Sequence, residues 1–106
     1  MKPHPWLTSL VFCCALPALA DGPDPARQRE LTHFVRQECG FCHGLRLTGG
    51  LGSPLTAESL KHKPAETLAA VILHGLPGTA MPGWAPHLSE ADAHWIAVEL
   101  SKGFPQ

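Results

Sequence analysis

Two thiols and an imidazole stand together in the run Cys39-Gly40-Phe41-Cys42-His43. A Cys-x-x-Cys-His run is the attachment signature of a c-type haem. The spacing follows from the chemistry. Thiols three positions apart, near the end of a helix, can each add to one vinyl group of the same porphyrin. The next residue then sits under the iron with a ring nitrogen free to bind it. Histidine is an axial ligand of haem iron in many proteins. What fills the opposite face of that iron decides between moving electrons and binding a small molecule.

Met81 is the leading candidate for that face. It follows His43 by 38 residues in the run Gly78-Thr79-Ala80-Met81-Pro82-Gly83-Trp84, where proline and glycines let the backbone turn a sulfur inward. A thioether is a soft, neutral ligand that favours the ferrous state, so a His/Met pair raises the reduction potential and leaves no site for substrate. The competing role for Met81 is that of a gap-filling core side chain. His87, His74 and His94 are rival ligands, and His87, just past Pro86, is the strongest of them. His33 and His62 read as solvated helix-surface residues.

A ligating histidine needs its other ring N–H fixed by an acceptor. Ser53 and Pro54, ten and eleven residues after His43, can offer that carbonyl; Pro54 can equally serve only to break the loop. Trp84 is placed to shield the haem edge, to donate its indole N–H to a propionate, or simply to pack. Arg46, Lys61 and Lys63 could form a basic rim for an acidic partner, or be isolated solvated charges.

The elements that must position these groups read as helices. Asp24 caps a helix with Pro25 at its first position, and Leu31, Phe34 and Val35 line one face on the way to Cys39. Four glycines and a proline make 44–55 a loop. A short helix is predicted over about 56–61. Pro64 opens a longer one, with Leu68, Val71 and Ile72 as its stripe and Gly75 after its end. The run 75–86 is again loop. Ser89 and Asp92 form a capping box for a last helix reaching Gly103, with Ala93, Ile96, Ala97 and Leu100 on its inner face and Trp95 and Val98 beside it. Strand signals are poor, and the fold class is all-α. Loops this long in a small domain usually carry a function, and wrapping a flat cofactor is one.

The start of the chain reads differently. Lys2 and His4 precede an apolar run from Leu7 to Leu16, then Ala18-Leu19-Ala20 offers a small-x-small cleavage site. Residues 1–20 are therefore expected to be a cleaved secretory signal peptide, too short in its apolar part to remain as a membrane anchor. Residues 21–106 would form one domain with seven Lys and Arg against nine Asp and Glu, which points to neither nucleic acid nor an anionic membrane as partner. Cys13 and Cys14 would leave with the leader, so both remaining thiols lie in the haem motif and no disulfide framework is available. A core this small is marginal unaided, and a covalent porphyrin would complete it.

With its N-terminal helix, Cys-x-x-Cys-His run, proline-bearing loop, Met-Pro loop and C-terminal helix, the expected mature chain resembles a class I monohaem cytochrome c. More narrowly, Cys39-Gly-Phe-Cys-His-Gly-Leu-Arg-Leu-Thr-Gly-Gly-Leu-Gly and Ile72-Leu-His-Gly-Leu-Pro-Gly-Thr-Ala-Met-Pro-Gly-Trp resemble the c-55X cytochromes of denitrification gene clusters. The resemblance implies a class I fold with terminal helices crossing, a role for Phe34, Trp95 and Leu100, and loops wrapping one covalent haem c. It implies a periplasmic electron carrier that is not an enzyme, with a redox partner protein such as the nitrite reductase bearing haem c and haem d1. An accessory role in maturing haem d1 is the alternative. A five-coordinate gas-binding haem would need Met81 off the iron, and a thioredoxin-like dithiol would need a βαβ context that this sequence lacks. One departure from many relatives is Gly52-Ser53-Pro54 where they have Gly-Pro.

Overall fold

A computed structural model describes residues 1–5, 10–14 and 22–105. Half of the expected leader, 6–9 and 15–20, lies outside the described residues; residues 1–5 and 10–14 are exposed and lack regular structure. No helix among the described residues is long and apolar enough to cross a membrane.

Helix α1 spans Pro25–Phe34, and the Asp24 side chain accepts from the Arg27 backbone N–H at 2.8 Å. Its start thus matches the sequence reading, with proline where a missing N–H costs nothing. The helix then widens. Val35–Cys39 form a π-helical turn, closed by the Gly40 N–H donating to the Val35 carbonyl, before α2 continues over Gly40–His43. The haem motif therefore rides on one continuous helical run with a single widened turn in front of the second thiol. Such turns concentrate at functional sites.

After α2 the chain doubles back. The Gly49 N–H donates to the His43 carbonyl at 2.8 Å and the Gly52 N–H to the Cys42 carbonyl at 2.7 Å. Leu47 takes a left-handed φ of 61° yet is only 4% exposed. Burying a leucine offsets a backbone cost of about 1–2 kcal/mol. Thr56 caps α3, Ala57–Leu60, through its hydroxyl. Helix α4 covers Ala65–His74 after Pro64, and α5 covers Glu90–Lys102 behind the full Ser89/Asp92 capping box.

The core joins α1 and the π turn (Leu31, Val35) to α4 (Ala69, Ile72, Leu73) and α5 (Ala93, Ile96, Ala97, Leu100), with Leu47, Leu60, Leu88 and Phe104 filling between. Contact between α4 and α5 is the most extensive of any helix pair. The expected α5 face is buried as read. On α4 the stripe is rotated: Ile72 is buried, while Leu68 and Val71 are half-buried and Ala69 and Leu73 take the inner positions. The two terminal helices are tied by Arg27, whose guanidinium donates to both oxygens of the buried Asp92 at 2.8 and 3.4 Å. Phe34 is half-buried and meets Trp84 edge-on.

Candidate functional site

The His43 imidazole is held from two directions. Its Nδ1 lies 2.7 Å from the Ser53 carbonyl oxygen, so Nδ1–H donates and Nε2 keeps the lone pair. Of the two carbonyls offered by sequence, Ser53 provides the acceptor. Pro54 is exposed and follows it, with Gly49 closing on its ring. Gly52 lies flat against the imidazole: a Cβ there would stand 2.7 Å from Cε1 and Nδ1 of His43. Only a residue without a side chain lets the loop pass this close. Sequence reasoning passed over Gly52 as a partner of His43, because it looks like any other glycine of a glycine-rich loop.

Cys39 and Cys42 are both half-buried free thiols. Burial, with smaller contributions from Glu38 and Cys42, pushes the Cys39 thiol up to about 11. Redox-active dithiols work through a lowered thiol pKa, so a thioredoxin-like role has no support here. Cys39 packs against the core, as do the half-buried Phe34, Leu55, Leu68 and Trp84.

Met81 sits in a loop stitched to the end of α4. The Trp84 N–H donates to the Ile72 carbonyl at 2.9 Å and the Ala85 N–H to the Leu73 carbonyl at 3.1 Å. Gly75 makes the turn possible: its φ is 72°, and a Cβ there would lie 2.6 Å from the Met81 carbonyl oxygen. The Met81 N–H donates to the Thr79 hydroxyl at 3.2 Å. Met81 is half-buried, whereas His33, His62, His74, His87 and His94 are all exposed. The Trp84 ring meets Phe34 at 5.1 Å and 86°, and tilts toward the His87 ring at 6.1 Å. Arg46, Lys61 and Lys63 are exposed, and Lys61 pairs with Glu58 at 2.7 Å.

These residues fit a covalently bound haem. The donor set comprises two free thiols, an imidazole whose Nδ1 is already satisfied, and a half-buried thioether. The half-buried pair Phe34 and Trp84 offers a flat macrocycle apolar surface to cover.

The comparisons with known proteins point the same way. Residues 26–98 match the family described as cytochrome c oxidase, cbb3-type, subunit III. Cytochrome c55X of Paracoccus denitrificans is 58% identical over 96 residues, covering 91% of this chain and 93% of that protein. The chain belongs to the cytochrome c55X family. It is thus a monohaem class I c-type cytochrome of the denitrification cluster, with one covalent haem c and the all-α cytochrome c fold. The solved structure of the c-type cytochrome NirC is similar with a TM-score of 0.75 at 54% identity, over 76% of this chain and 95% of that one. Family members of matching length are cytochromes rather than enzymes. A dihydro-heme d1 dehydrogenase from Pseudomonas aeruginosa is 43% identical over 74 residues, which cover 69% of this chain and 15% of that protein.

Proposed function

We propose that this c55X-family cytochrome is an exported one-electron carrier, with haem c attached through Cys39 and Cys42 and held axially by His43 and Met81. Residues 1–20 are its cleaved signal peptide, the periplasm its compartment, and the haem c/haem d1 nitrite reductase its electron acceptor. When bound, haem c supplies a ferric/ferrous couple. The polypeptide supplies orientation and exclusion. The Ser53 carbonyl fixes the imidazole tautomer and strengthens its donor nitrogen. Gly75 and the pairing of Trp84 and Ala85 with α4 hold the Met81 loop in place. Pro54 and Trp84 border the cofactor.

One observation carries this reading: Met81 is half-buried, while the rival ligands His74, His87 and His94 are exposed. The ferric protein should show the weak long-wavelength sulfur-to-iron band, and Met81→Ala should abolish it, lower the potential and admit external ligands. An unchanged spectrum in Met81→Ala would assign the ligand elsewhere.

A second reading, an accessory role in haem d1 maturation, draws support from the similarity to a protein named dihydro-heme d1 dehydrogenase. Deleting the gene and adding purified holo-reductase separates the two. Nitrite reduction that recovers without this protein would favour maturation over electron delivery.

A further inference from the structure

Helix α1 touches the Met81 loop at two places. Phe34, five residues before Cys39, meets Trp84, three residues after Met81, at 5.1 Å and 86°. One turn into the same helix, the Arg27 guanidinium donates to the His87 carbonyl at 3.3 Å while also holding Asp92. The run that presents His43 thus reaches the segment that presents Met81. An edge-to-face aromatic pair contributes about 0.5–1.5 kcal/mol beyond the area it buries. That interaction is absent whenever the loop swings away.

From this geometry we infer that Phe34 and Trp84 are positioning residues for the second axial ligand. Their contact ties the loop bearing the sulfur to the helix bearing the thiols and imidazole. The inference rests on the His43/Met81 reading, and its failure looks different from the failure of that reading.

The test uses the holoprotein, with imidazole as the competing ligand and a thermal melt run alongside. Phe34→Leu and Trp84→Leu should bind imidazole roughly two- to tenfold more tightly than the unsubstituted protein and show a weaker sulfur-to-iron band. Trp84→Phe, which keeps a ring in the contact, should return most of the affinity to its starting value. Phe104→Leu serves as the control for general core damage. Phe104 is buried beyond the far end of α5, a 13-residue helix away from His87. It should lower the melting temperature without changing imidazole affinity. The inference falls if the Phe34 and Trp84 variants melt earlier but bind imidazole no better than Phe104→Leu does. A missing sulfur-to-iron band in the unsubstituted protein would instead remove the axial reading, and this inference with it.

Discussion

At the scale of single residues, the motif thiols and His43 stand out because their chemistry is local: two thiols and an imidazole lie within five positions. The acceptor for His43 was legible only as one of two neighbouring carbonyls. Which of Ser53 and Pro54 faces the ring is settled by how the loop folds back through the Gly49 and Gly52 hydrogen bonds, and no pattern of residue types records that. The sequence marks Gly52 only as part of the Gly52-Ser53-Pro54 run and not as a partner of His43, although its contact with the imidazole is closer than any Cβ would tolerate. Gly52→Ala should therefore push either the loop or the ring aside. We expect the His43 Nδ1–H of the holoprotein to exchange with solvent faster and stability to fall by about 1–3 kcal/mol. Proton NMR of the ring resonance and a denaturant titration check both effects; an unaltered exchange rate would mean that the loop yields without disturbing the histidine.

Among the elements, helix starts were the most readable features, since Asp24-Pro25 and Ser89 with Asp92 carry their caps within four residues. The π turn was not readable. Val35-Arg36-Gln37-Glu38-Cys39 has the composition of ordinary helix, and the fully buried Val35 at its start looks like any other core position. The Arg27–Asp92 link was equally hidden, because the partners stand 65 residues apart. Hydrogen bonding to Arg27 holds the Asp92 carboxyl below the ordinary carboxylate range, with help from Ser89. A carboxylate with a depressed pKa in the folded state contributes stability above its unfolded value, about pH 4, and loses it as pH falls through the folded value. Asp92→Asn should accordingly be less stable at neutral pH and show a flatter loss of stability below about pH 4. Melts between neutrality and strong acid decide this; parallel curves for the two proteins would exclude Asp92 as the titrating group.

For the whole molecule, fold class and helix order followed from periodicity and caps, while the rotation of α4 did not. Leu68 and Val71 carry the apolar signal of a buried stripe but lie half-open, and Ala69 and Leu73 take the inner places beside Ile72. No disulfide occurs among the described residues, so none staples this small domain. A core of this size is marginal unaided. Protein made without the cofactor, as Cys39→Ser with Cys42→Ser, should unfold with a shallow, early transition, whereas the holoprotein should unfold cooperatively. Circular dichroism compares them, and equal midpoints would show that the polypeptide is self-sufficient.

With the haem held by His43 and Met81 as proposed, the helical run from Pro25 to His43 would touch both flanks of its site, through His43 on one side and through Phe34 against Trp84 on the other. A centre gripped from both flanks by one rigid member has little freedom to relax when its charge changes by one. In a carrier built this way the nuclear rearrangement accompanying oxidation is small, and transfer can be rapid even between partners of nearly equal potential.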